Sequence, residues 1–88
     1  MQSTMLSKAT LNRLPLYLQY VRTVEGSMIS ATIIARNLGL GEVQVRKDLG
    51  MISQAGQPKV GYPVQQLRRD LEIALGIHQK ISAVIVGA

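Results

Sequence analysis

The sequence predicts a mainly α domain of the winged helix-turn-helix class, with a three-helix core, a small β-hairpin wing and a fourth helix. Three observations carry that prediction. Apolar residues recur at helical spacing in four separate stretches. A glycine-bounded turn joins the second stretch to the third, and a segment punctuated by Gly56, Pro58 and Gly61 follows the third. At 88 residues and 47% hydrophobic, the chain has material for one modest core and not for two. It contains no Phe and no Trp, so that core falls to Leu, Ile, Val and Met.

Residues 1–7 read as a loose terminus, and the winged-helix domain spans 8–76. In the first helix Leu11, Leu14, Leu18 and Val21 lie near one face. Pro15 fits the first turn if Asn12 is the N-cap; a start nearer Ser7 or Thr10 puts it inside the helix, where it should kink it. Gly26 and Ser27 close this helix. Ser30 caps a second helix, Ala31 to Leu38, which Gly39 stops. Glu42 opens the third, with Val45, Leu49 and Ile52 as its buried stripe. Residues 53–62 form the hairpin or loop, with Lys59 near its tip. Pro63 suits the first turn of a fourth helix, whose stripe is Val64, Leu67, Leu71, Ala74 and Leu75 and whose end is Gly76.

Residues 77–88 change character. Ile81 to Val86 is short, β-branched and uncharged, and Gly87-Ala88 follows it. This reads as an orphan buried strand of the parallel-sheet kind, which needs partner strands that the chain does not supply. The expectation is therefore a linker and the first strand of a second domain whose remainder is missing.

Charge and composition exclude whole function classes. Ten Lys and Arg against five Asp and Glu give a net charge of +5, and seven of those bases but three of the acids lie before Tyr62. Such a surface favours polyanions. With no Cys and one His (His78), disulfides, thiol catalysis, Cys-ligated metal and a Ser-His-Asp triad are all excluded. No metal site and no enzymatic activity are expected. Without a run of about 18 apolar residues no transmembrane helix is expected, and the polar N-terminus is no secretory signal. The protein reads as soluble and cytoplasmic.

Residues 34–49 carry the function. Ala35 is small where two helices cross, and Gly39 supplies the positive φ of a tight turn. With Leu38, Leu40, Val45 and Leu49 facing in, a helical wheel puts Val43, Arg46, Lys47 and Gly50 on the solvent arc. A recognition helix offers such an arc to the major groove of double-stranded DNA. Arg46 can bond a guanine edge in bidentate fashion, and Val43 can pack on a thymine methyl. Lys47 suits a phosphate, which positions without specifying. Gln44 lies at the side of the helix as a further candidate contact. Asp48 would be repelled by phosphate and reads as a salt-bridge partner of neighbouring residues.

The chain resembles the Rex-type redox-sensing transcriptional repressors. The resemblance rests on Lys8-Ala9-Thr10, Arg13 to Tyr17 (RLPLY), Val45 to Leu49 (VRKDL), Gly56, Val60-Gly61-Tyr62 and the terminal Val84 to Ala88, and it covers about residues 7–88. It implies a homodimeric repressor with an N-terminal winged helix and a C-terminal Rossmann domain that binds NADH or NAD+. NADH would release the protein from an inverted-repeat operator of TTGTGA-like half-sites. By the same resemblance Arg46 and Lys47 lie on the recognition helix and Lys59 on a minor-groove wing. Arg13 is a phosphate contact or a surface salt bridge. Gly87 would start a phosphate-binding motif of which only the first two residues are present, so the chain itself should bind no NAD(H). It should be monomeric or weakly associated.

The sequence departs from the family twice. Gly50 to Gly56 (GMISQAG) stands where the family has an aromatic-rich S-Y-F-G-E-F-G pattern, and the wing reads Gln57-Pro58-Lys59. Two rival readings are the N-terminal piece of an NAD-dependent oxidoreductase and a winged-helix protein–protein adaptor. The first gives no reason for an outward Arg46 and Lys47. The second requires an apolar patch on the third helix, where Val43 stands alone.

Overall fold

The structure, a computed structural model, describes the backbone of residues 6–58 and 60–87 and the side chains of residues 6–58 and 60–76. In chain order the elements are α1 (Lys8–Val21), β1 (Met28–Ile29), α2 (Ala31–Leu38), α3 (Glu42–Ile52), β2 (Tyr62–Pro63) and α4 (Val64–Gly87). The fold is the expected mainly helical, winged arrangement. α1 packs along α4, and α2 packs against α3.

α1 begins at Ser7, whose hydroxyl accepts from the Thr10 amide at 3.0 Å. Of the two expected starts the earlier one holds, so Pro15 lies inside the helix. An interior proline costs roughly 3 kcal/mol through its lost N–H bond and ring clash. Leu14, Tyr17, Leu18 and Val21 are all buried on this helix, each worth about 1.5–3 kcal/mol, so the stripe outweighs the proline. Pro15 itself is exposed, so its ring displaces nothing from the core.

α2 keeps its expected bounds. Ser30 accepts from the Ile33 amide at 3.1 Å, and Gly39 ends the helix at φ 70°. The Leu40 amide then reaches back to the Ala35 carbonyl at 2.9 Å, closing the turn before α3. The core joins the α1 stripe to Ile29, Ala31, Ile34, Ala35, Val45, Leu49, Val64, Leu67 and Leu71. Leu38, Leu40, Ile52, Ala74 and Leu75 pack on it, half-buried.

The wing differs from a self-contained hairpin. Gln57 and Gly61 exchange two backbone hydrogen bonds, each 2.8 Å, which close the loop. Its outgoing arm β2 then pairs antiparallel with β1, Met28 opposite Pro63 and Ile29 opposite Tyr62. Two residues are too short a strand for a period-2 pattern to reveal. Gly61 has φ 99°, and a Cβ there would stand 2.5 Å from the Ile29 carbonyl oxygen. Gly61→Ala should therefore lower stability by about 1–3 kcal/mol, read as a shifted urea midpoint with an unchanged m-value.

The C-terminal segment corrects the sequence reading. α4 does not stop at Gly76, and residues 81–86 are helical, not an orphan strand. A lone strand leaves its amides and carbonyls without partners, whereas a helix satisfies them within its own segment. That saving outweighs Gly76 in the helix interior, which costs about 1 kcal/mol relative to alanine.

Candidate nucleic-acid interface

α3 presents two chemically opposite faces. Inward, Val45 and Leu49 are fully buried. Outward, Val43, Gln44, Arg46, Lys47 and Gly50 are exposed, Val43 at 66% and the Arg46 side chain at 65%. The helical-wheel assignment of Val43, Arg46, Lys47 and Gly50 thus holds. Glu42 complements the helix N-terminus, and its carboxylate holds Arg46 Nη2 at 2.5 Å one turn on.

Asp48 is the structural surprise of this helix. Its side chain is fully buried, yet it pairs with neither Arg46 nor Lys47. Instead it receives donors from α1. Arg13 grips it with both Nε (2.6 Å to Oδ2) and Nη2 (3.2 Å to Oδ1). The Tyr17 hydroxyl donates to Oδ2, and Thr10 Oγ1 to Oδ1 at 3.1 Å. From α3 itself, Gln44 Nε2 donates to Oδ1 at 2.9 Å. Burial pulls the Asp48 carboxyl toward neutrality, but the donors from Arg13, Tyr17, Gln44 and Thr10 together hold its pKa below the ordinary value. The hydrogen bond to Asp48 raises Arg13 further. Burial, then the contact with Asp48, raises the Tyr17 phenol.

This network redistributes the candidate residues. Arg46, Lys47 and Val43 stand on the outward arc. Arg13 is engaged as a salt-bridge partner, with its side chain 21% exposed, and the Gln44 amide is turned onto Asp48. Lys59 lies outside the described residues. Gly87 is the last residue of α4 and follows no strand. Spacing on α3 revealed the outward arc, but the Arg13–Asp48 link joins two helices far apart in sequence, and no local pattern encodes it.

Between the α2 N-terminus, α3 and the wing runs an open groove of about 750 Å³. Ser30, Thr32, Arg46, Gly50, Gln54, Gln57 and Tyr62 line it, with no carboxylate among the described residues. The Tyr62 ring packs where a Cβ on Gly56 would stand, 2.6 Å away, so Tyr62 closes the wing as a packing residue. Arg46 therefore faces both the outer arc and the groove, with Glu42 competing for its guanidinium. Glu42→Gln should tighten binding to any duplex by about two- to fivefold at low salt, the worth of one exposed ion pair. A titration of random duplex checks this.

The chain matches known proteins over this same region. Residues 5–50 match the family described as "Putative DNA-binding protein N-terminus". It is 42% identical over 82 residues to the redox-sensing transcriptional repressor Rex of Treponema denticola, covering 90% of this chain and 39% of that protein. To Rex 2 of Thermotoga maritima it is 35% identical over 83 residues, 94% of this chain and 41% of the relative. The crystal structure of RSP in complex with beta-NAD+ and operator DNA superposes with a TM-score of 0.76 at 30% identity, over 84% of this chain and 36% of that one. The chain spans about two fifths of the length of these curated relatives. Their names are those of transcriptional repressors. By the matched region, the shared fold and these relatives, the chain belongs to the family of the DNA-binding N-terminus of Rex-type redox-sensing repressors.

Proposed function

We propose that the chain is the sequence-specific DNA-binding domain of a transcriptional repressor whose whole form responds to the NADH/NAD+ state. The observation that carries this reading is the polarity of α3. Its outer arc offers Val43, Arg46 and Lys47 to solvent, while its inner face is locked to α1 through Asp48. In the bound state Arg46 exchanges Glu42 for a guanine edge, Val43 meets a thymine methyl and Lys47 neutralises a phosphate. Arg13 and Gln44 act through Asp48 to position the helix, and Lys59 belongs to the wing. A domain of this kind works in the cytoplasm as a DNA-bound regulator with no reaction of its own.

The relatives' redox-sensing names support NAD(H) as the ligand of the whole protein, and two half-sites held by a homodimer would supply the affinity that one module lacks. The residues here do not by themselves fit a nucleotide. Gly87 ends a helix, and a phosphate-binding turn needs a strand before it and a helix after it. Residues 77–88 are assigned to the connection toward that second domain.

Fluorescence anisotropy of the chain on two duplexes tests the proposal. One carries an inverted repeat of TTGTGA-like half-sites and the other its scramble, each at low and moderate salt. The expected result is a preference for the repeat that persists as salt rises. Equal, salt-sensitive binding to both, or no binding at all, contradicts sequence-specific readout.

A further inference from the structure

The outward side of α3 carries one acid. Asp48 is fully buried, so Glu42 is the carboxylate that this helix shows to solvent, its side chain 38% exposed. It stands in the first turn, where the helix dipole favours it, and its Oε2 lies 2.5 Å from Arg46 Nη2. A pair at this spacing stabilises a helix only slightly. Against that small gain it sets a negative charge beside the cation that is to read a base. The other members of the arc, Val43, Lys47 and Gly50, carry no acid. When Arg46 turns to a guanine, the carboxylate is released in the same place. There a duplex presents phosphates and the acceptor atoms N7, O6 and O4, all of which repel it. The major-groove base edges offer it hydrogens only at the amino groups, cytosine N4 and adenine N6.

We propose that Glu42 is a specificity-determining residue that accepts a hydrogen bond from a major-groove amino group, cytosine N4 or adenine N6, beside the guanine that Arg46 reads. This rests on the DNA-binding reading above. In the free chain each side chain is the other's partner. On the right sequence both exchange at once, the guanidinium for N7 and O6 and the carboxylate for the amino group, and no charge is left unpaired. On a wrong base, or on phosphates alone, Arg46 finds a partner and Glu42 loses one. The stranded carboxylate then opposes binding. A residue that rejects wrong sites sharpens the choice between sequences while lowering affinity for random DNA.

Fluorescence anisotropy tests this on the inverted repeat, its scramble, and duplexes in which each base of the half-site is replaced in turn by the other three. Glu42 lies outside the core, so Glu42→Ala and Glu42→Gln should both fold, which urea midpoints check. In wild type one position near the guanine should favour cytosine or adenine over guanine and thymine by about fivefold. In Glu42→Ala that preference should fall below about twofold, while the guanine preference set by Arg46 remains. Which of the two amino-bearing bases is favoured identifies the donor. Glu42→Gln should gain about fivefold on the scramble and about twofold on the repeat. Arg46→Ala separates a direct contact from a tether: the preference at the amino position should survive in it and vanish when Glu42→Ala is added. Two results would overturn the proposal. One is a single factor of tightening on every duplex in the Glu42 variants, with every positional preference intact. The other is a preference at the amino position that Arg46→Ala alone removes. In either case a guanine preference that persists in wild type leaves the DNA-binding reading standing. A wild-type chain with no preference at any position brings both down.

Discussion

Replacing Asp48 with alanine should destabilise the fold by about 3–5 kcal/mol, the cost of breaking a buried ion pair from one side. The carboxylate accepts from Thr10, Arg13, Tyr17 and Gln44 and is fully buried. Its loss strands the Arg13 guanidinium and the Tyr17 hydroxyl together. For a domain of this size the total stability is roughly 5–10 kcal/mol, so the variant stands near the threshold of folding. Asp48→Asn keeps the shape but loses the charge that Arg13 needs, and should cost nearly as much. Tyr17→Phe removes one donor and leaves the acceptor with others, so its cost should be about 1–1.5 kcal/mol. Urea denaturation that ranks Asp48→Ala above Tyr17→Phe supports the hub, and similar small effects from both contradict it.

The same network sets an acid limit. The Asp48 pKa in the folded chain lies below its ordinary value. A depressed carboxyl binds protons more readily in the unfolded chain, so its contribution is complete above the unfolded pKa, about 3.9. It is lost as pH falls from there through the lower, folded value. Wild-type stability should therefore drop over that acid range, and the drop should be smaller in Asp48→Asn, which has no proton to take up there. Urea midpoints at a series of pH values check the sign.

Arg46→Ala should have the largest effect on function without disturbing the fold. Its side chain touches Glu42 and solvent, so stability should change by less than about 0.5 kcal/mol. Loss of a bidentate guanine contact should cost about 1–3 kcal/mol of discrimination, roughly five- to 150-fold in affinity for the preferred site. Lys47→Ala should instead weaken binding to preferred and random duplex alike and reduce the salt slope by about one. The contrast between these two neighbours separates base readout from charge. A uniform loss in Arg46→Ala would make it a second phosphate contact.

Much of this was legible in the sequence. The bounds of α2, the turn at Gly39 and the outward arc of α3 follow from spacing and capping within short windows, where local physics decides. The rest depended on non-local contacts. Asp48 looked like a partner for the adjacent cations in VRKDL, and only the packing of α1 across α3 shows that Arg13 claims it. That packing also turns Gln44 away from a simple contact role. β1 has two residues, too few for a pattern, and exists because the wing returns beside it. Ile81 to Val86 has strand propensity but meets no partner strand among the described residues, and helix is the form that satisfies its backbone.

The proposed function requires α3 to meet DNA with one face while Asp48 fixes the other. Amide chemical-shift mapping of the isotope-labelled chain, titrated with the inverted-repeat duplex, tests it most directly. The largest changes are expected at Val43, Arg46, Lys47 and Gly50, with further ones around Ser30 to Thr32 and the wing, and little at Leu67 and Leu71. Changes centred on the exposed Leu16 of α1 and Ile73 of α4, with the α3 arc unmoved, would contradict it.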